Sequence, residues 1–190
     1  MIIVAGGDSF VWGSELSDHR HGGPDGYSRL TFPALLAADD QYTCAAYPGY
    51  SNEEISQGVY RVLSNGSIGI PFIFVCWTWP SRDKHYRSSR IVQSLQEYVK
   101  YHRIPYLFTC ADNCLLEWLN DDTDWDHWFL FPPAEETWNT QEPRGFYQWA
   151  VESNYPCGPD RHPLEQAHAA AAKLMQGKFN EMVTKHLQQN

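Results

Sequence analysis

Four short runs of nearly unbroken apolar residues punctuate the chain: Ile2–Ala5, Tyr42–Tyr47, Pro71–Trp77 and Ile104–Cys110. Runs of this length, continuous rather than alternating, read as strands buried on both faces. PFIFVCW is the most apolar of them and is expected near the centre of a sheet. Between the runs, hydrophobic residues recur at helical spacing. TFPALLAA (Thr31–Ala38) predicts a helix with Thr31 as cap and Pro33 in its first turn. Ile55, Val59 and Leu63 share one face of the next helix, and Ser51 with Glu54 three residues on forms a capping-box pattern at its start. Ile91, Leu95 and Val99 line a helix over Ser88–His102. A short helix is expected at Asp112–Leu119, a further one at Phe146–Val151, and an alanine-rich helix over Pro163–Leu187. Trp128–Phe131 reads as a fifth, shorter strand. Ser17–Ser28 and the acidic stretch Asp121–Asp126 read as surface loops.

Buried strands separated by amphipathic helices predict a three-layer α/β/α sandwich, flavodoxin-like, with a mostly parallel sheet of about five strands. No repeat or linker divides the 190 residues, so one domain over 1–190 is expected. In such sheets ligands bind where the strands end. That edge would carry Ser9, Gly49, Trp77, Thr78 and Cys110.

Composition narrows the function. With 43% hydrophobic and 19% charged residues the chain reads as globular. A net charge of −9 and the absence of any Lys/Arg run argue against a nucleic-acid partner. No stretch reads as a signal peptide or a membrane span, so a cytoplasmic protein without a membrane partner is expected. The five cysteines are irregularly spaced and read as buried, reduced thiols rather than a disulfide set or a zinc site. A metal site from His19 and His21 is disfavoured.

The candidate chemistry begins at Gly6-Gly7-Asp8-Ser9, where the first strand discharges into two glycines, an acid and a hydroxyl. Asp8 is read as structural, bonding nearby amides to set the turn. Two other segments belong to the same rim: Pro48-Gly49-Tyr50-Ser51-Asn52, and Gly158-Pro159-Asp160-Arg161-His162-Pro163 ahead of the last helix. A serine hydroxyl needs a base to become a nucleophile, and an imidazole titrates near neutrality. A carboxylate can hold that imidazole in the required tautomer.

Together these segments resemble the SGNH (GDSL-type) hydrolase family, from Gly7 to His168. The resemblance implies Ser9 as nucleophile, His162 as base, Asp160 as the orienting acid and the Gly49 amide as an oxyanion donor. It implies hydrolysis of a small-molecule or carbohydrate ester, such as an acetylated sugar, through an acyl-enzyme and without cofactor or metal. Two departures stand out. The family's third block usually carries an asparagine that donates to the oxyanion, whereas strand three here ends in Trp77-Thr78-Trp79-Pro80-Ser81-Arg82. Asn52, Thr78, Ser81 or a backbone amide would have to replace it. The family's acid usually lies three residues before the histidine, where Pro159 stands; Asp160 lies two before. These departures keep open a second reading, a degenerate module that binds carbohydrate or protein without turnover. A flavodoxin-like phosphate binder is a weaker third reading, because GGDS lacks the P-loop lysine and spaced glycines. Arg82 is expected to bind a substrate carboxylate or phosphate, or to pair with an acid such as Glu54. His168 is read as a packed or surface side chain, and Phe10, Trp12, Tyr50, Trp77 and Trp79 as either core or cleft walls.

Overall fold

The computed structural model describes residues 1–19, 26–38, 40–65, 71–83, 87–133 and 142–189. His21, His85 and Trp138, and with them parts of the Ser17–Ser28 loop and of the Trp125–Trp149 segment, lie outside the described residues. Four strands, β1 (Ile2–Gly6), β2 (Gln41–Cys44), β3 (Phe72–Trp77) and β4 (Tyr106–Cys110), form one sheet in the order β2-β1-β3-β4. Every pairing is parallel, with Ile3 opposite Tyr42 and Phe72, and Phe74 opposite Leu107. The helices are α1 (Ser9–Trp12), α2 (Phe32–Ala37), α3 (Asn52–Ser64), α4 (Ser88–Tyr101), α5 (Phe146–Glu152) and α6 (Glu165–Gln189). This is a three-layer α/β/α fold.

The lack of alternation in the strands has a direct cause. Ile3, Ala5, Phe72, Phe74, Cys76 and Leu107 point to one face and pack with residues of α2, α5 and α6. Val4, Ile73, Val75, Phe108 and Cys110 point to the other and pack against Ile55 and Val59 of α3 and Val92, Leu95 and Val99 of α4. Successive side chains of a strand point to opposite faces. With helices covering both faces, the two central strands, β1 and β3, carry no polar side chain. The Ser51/Glu54 capping box forms as the spacing predicts. Thr31 occupies the cap position of α2, but its side chain makes no capping hydrogen bond.

The expected fifth strand is reduced to single bridges. Trp128 pairs in parallel with Phe108, and Phe131 pairs antiparallel with Arg144. A 3₁₀ turn at Trp125–His127 precedes this stretch, and Phe131 exchanges its backbone hydrogen bonds with Arg144, at 2.9 and 2.8 Å. The segment 112–119 is likewise a 3₁₀ helix, Asn113–Trp118, rather than an α-helix. All five cysteines are free; Cys76 and Cys110 are buried as expected, whereas Cys157 is exposed. Among the described residues, no helix is long and apolar enough to cross a membrane.

His168 ties α6 to α2 inside the core. Its imidazole is buried, lies flat on the Phe32 ring at 5.6 Å, and accepts the Phe32 backbone N–H at Nδ1, 3.2 Å away. A hydrogen bond with the backbone carbonyl of Pro163, two residues ahead of α6, also engages it. Burial is the main reason its pKa falls from 6.5 to about 3, and the nearby His162 adds to the fall; Glu165 and the Pro163 contact act the other way. Protonation at Nδ1 would set an N–H against the Phe32 N–H.

The sign of the linkage follows. Above pH 6.5 neither the folded nor the unfolded chain binds this proton, and stability is unaffected. Below it the unfolded chain takes the proton and the folded chain refuses it, down to about pH 3. Unfolding free energy should therefore fall by about 1.4 kcal/mol per pH unit from this residue alone. Urea unfolding at pH 6.5 and pH 5 should show a smaller difference for His168→Gln than for the wild type.

Candidate active site

Ser9 opens α1 at the C-terminal end of β1 and is 7% exposed. The turn that presents it is built by Asp8, which is fully buried. Asp8 Oδ1 accepts the Phe10 N–H at 3.0 Å and caps the helix. Its Oδ2 accepts from Thr78 Oγ1 at 2.8 Å and from Arg82 Nη1 at 2.9 Å. A buried carboxylate needs such partners, since leaving it unpaired costs several kcal/mol. Asp8 thus joins the end of β1 to the end of β3.

Helix α1 stops after one turn at Gly13, and the chain reverses through Glu15, whose φ of 68° is unusual for a side chain other than glycine. This reversal aims Glu15 at the segment before α6. There Cys157 and Pro163 pair, the Gly158 N–H bonds to the His162 carbonyl, and the Arg161 N–H bonds to the Gly158 carbonyl. Arg161 also adopts a positive φ, 64°. The resulting tight loop turns its N–H groups inward, onto Glu15. The Asp160 N–H donates to Oε1 at 3.0 Å, the His162 N–H donates to Oε2 at 3.2 Å, and His162 Nδ1 stands 2.7 Å from Oε2. Burial alone would raise the carboxyl's pKa. The Asp160 N–H, the imidazole and the His162 N–H outweigh it and hold Glu15 below the ordinary carboxylate value. Gly158 leaves the room this needs: a Cβ there would lie 2.6 Å from the Glu15 carboxyl carbon.

This geometry corrects the expectation for the acid. The carboxylate on the imidazole belongs to Glu15, and Asp160 is exposed, contributing its backbone N–H instead. With Arg161 between Asp160 and His162 in a tight turn, the Asp160 side chain is left on the outside. Glu15 escaped the sequence reading because 147 residues separate it from His162 and no local motif links them. The nearest signal was a glycine immediately beyond the only turn of α1.

The imidazole of His162 packs edge-on against Phe10 at 5.6 Å, alongside the residue that follows Ser9. With Nδ1 engaged by Glu15, Nε2 is the nitrogen left for another partner. Gly49 lies in the turn after β2 with φ 82°, and a Cβ there would meet nothing within 4 Å. Backbone conformation, not crowding, is what favours glycine at this position. The Tyr47 N–H bonds to the Gly7 carbonyl at 3.3 Å and holds this turn beside the loop of Ser9.

Asn52 and Thr78 do not stand free to face a substrate. Asn52 is fully buried; its Nδ2 faces the Thr78 carbonyl at 3.1 Å, Asp83 Oδ2 at 2.9 Å and Ser88 Oγ at 3.2 Å, while its Oδ1 accepts the Thr78 N–H at 2.8 Å. Ser88 also donates to Asp83, and the Glu53 N–H bonds to Asp83 at 3.2 Å. A carboxamide has two N–H groups, and both are committed here. The hydroxyl of Thr78 is committed to Asp8. Ser81 is exposed on the 3₁₀ turn Pro80–Arg82. Trp77, expected at the rim, is wholly buried against Phe108. Arg82 pairs with Asp8 rather than with Glu54, which serves the capping box.

Two solved structures share this architecture. The psychrotrophic esterase EstA from Pseudoalteromonas sp., in a form inhibited by monoethylphosphonate, superposes with a TM-score of 0.58 at 12% identity, covering 98% of each chain. A protein from Desulfitobacterium hafniense DCB-2, assigned to the G-D-S-L family of lipolytic proteins, superposes with a TM-score of 0.51 at 12% identity, covering 93% of this chain and 98% of its own. The chain has the SGNH-hydrolase fold. No protein-family model matches the sequence, and no curated protein matches it. Within this fold Ser9 follows β1, Gly49 lies in the turn after β2 and Thr78 follows β3, at the edge where the parallel strands end.

The Glu15 contacts carry a direct structural prediction. Hydrogen bonds to a charged acceptor contribute about 1.5–3 kcal/mol each. In Glu15→Ala, the amide protons of Asp160 and His162 should exchange about tenfold or more faster than in the wild type by NMR. In Asp160→Ala, the amide at 162 should keep its protection. Equal protection in the wild type and Glu15→Ala would refute the contact.

Proposed function

We propose that this chain is a serine-dependent ester hydrolase working through Ser9, His162 and Glu15. The observation that carries the reading is the 2.7 Å contact between Glu15 and His162 Nδ1 at the strand edge that bears Ser9. A carboxylate bound to one imidazole nitrogen fixes the tautomer that leaves the other able to accept a proton. Phe10 holds the ring beside the turn of Ser9. The printed descriptions of the two similar structures, an esterase and a lipolytic protein, point the same way.

In this mechanism Ser9 Oγ attacks the ester carbonyl carbon while its proton passes to His162 Nε2. The C=O π pair moves onto oxygen, and the amides of Ser9 and Gly49 face that oxyanion. The tetrahedral species collapses with cleavage of the C–O bond to the alcohol, which leaves with the proton from His162. Water then attacks the acyl-enzyme by the same route, releasing the acid and restoring Ser9. Glu15 stays ionised throughout and stabilises the imidazolium. The substrate class proposed is a small acyl ester, with an acetylated carbohydrate as candidate. Aromatic side chains surround the turn: Trp79 lies 5.8 Å from Phe10, Tyr147 is stacked on Phe10 at 5.9 Å, and Trp12 meets exposed Tyr47 at 5.1 Å. Rings of this kind form stacking walls for a sugar.

One observation favours the second reading, a carbohydrate- or protein-binding module without turnover. The polar side chains first considered as replacements for the missing asparagine, Asn52 and Thr78, are engaged within the scaffold.

Kinetics on an activated acetyl ester separate the two. Ser9→Ala and His162→Ala should each remove nearly all turnover, and Glu15→Gln should lower kcat about 10³–10⁴-fold, as expected when the imidazole loses its tautomer control. Asp160→Asn should stay within about threefold of the wild type, well under the roughly tenfold that 1.4 kcal/mol would produce. Ser9→Ala at wild-type rate would end the enzyme reading, and Asp160→Asn as damaging as Glu15→Gln would end the assignment of the acid.

A further inference from the structure

We infer that Arg82 supplies the third oxyanion donor of the site proposed above, in the place where strand three carries no asparagine. The inference rests on that reading of Ser9 and Gly49. One guanidinium nitrogen, Nη1, donates both to Asp8 Oδ2 at 2.9 Å and to the Tyr50 carbonyl at 3.2 Å. Asp8 is the residue immediately before Ser9, and Tyr50 the residue immediately after Gly49. Arg82 therefore bridges the two loops whose amides form the other arms of the oxyanion site.

The guanidinium is fixed on a third side by Trp79, whose ring lies 5.1 Å below it and packs in turn on Phe10 at 5.8 Å. A guanidinium presents five N–H groups in a rigid plane. With Nη1 engaged, Nε and Nη2 have no hydrogen-bond partner among the described residues, and the side chain is 31% exposed. Asn52 and Thr78 are committed elsewhere, and Ser81 sits on the exposed turn. A cation held in advance between both loops meets the need for a preorganised donor where negative charge develops.

A purely structural role, neutralising buried Asp8, makes a different forecast, and a double-mutant cycle separates them. In the proposal, Arg82→Lys keeps a cation for Asp8 but loses the forked donors. It should lower kcat on a neutral acetyl ester about 10²–10³-fold with KM within about threefold. The same loss should appear when Arg82→Lys is made in an Asp8→Asn background, compared with Asp8→Asn alone. Circular-dichroism melts identify variants that fold, and Arg82→Gln replaces any that does not. A wild-type kcat in Arg82→Lys, or a loss that vanishes in the Asp8→Asn background, would overturn the inference. So would a change confined to KM for esters bearing a carboxylate, which would make Arg82 a substrate anchor. A wild type as inactive as Ser9→Ala would instead count against the hydrolase reading itself.

Discussion

A single carboxylate, Glu15, receives two backbone N–H groups and one imidazole nitrogen from a loop near the other end of the chain. The position of His162 relative to Ser9 depends on it. The two segments are costly to form: Glu15 and Arg161 both hold positive φ angles, each worth on the order of 1–3 kcal/mol of strain. Charge-assisted hydrogen bonds of about 1.5–3 kcal/mol apiece are of the right size to offset that strain. Gly158 is part of the same arrangement, because any side chain there would occupy the space of the carboxylate.

Two buried polar clusters complete the scaffold. Asp8 fastens the turn of Ser9 to Thr78 and Arg82 at the end of β3. Asn52 fastens the start of α3 to Thr78, Asp83 and Ser88. Both meet at Thr78, which uses its hydroxyl for one and its backbone for the other. The parallel sheet explains why these residues can meet at all. In a parallel sheet all strands end on one side, so loops distant in sequence converge there. The apolar interior supplies rigidity, and the polar residues at its edge are almost entirely spent on each other, which leaves few side chains free to serve chemistry.

The strands were legible in the sequence because helices cover both faces of the sheet, so no polar side chain interrupts β1 or β3, and β4 carries only the buried Thr109. The capping box at Ser51 was legible because it is a local device with its partner three residues away. Trp128–Phe131 misled because it is a continuous apolar run, yet only Trp128 and Phe131 are fully buried and its backbone pairs at isolated points. The candidate site divides along the same line. Gly7-Asp8-Ser9, Gly49 and His162 stand in recognisable local contexts. Glu15 does not, because its relation to His162 exists only after both loops have folded. Asn52 illustrates the converse: its place three residues after Gly49 made it a candidate oxyanion donor, and only the packing of α3 against β3 and α4 reveals that its amide is used up inside.

In the proposed mechanism Ser9 is a hydroxyl activated by the imidazole that Glu15 holds. Reaction with a fluorophosphonate, followed by peptide mass mapping, tests it most directly. One adduct per folded chain is expected, on Ser9, forming much more slowly in Glu15→Gln than in the wild type. A folded protein that stays unlabelled, or that carries the adduct on another residue, would contradict it.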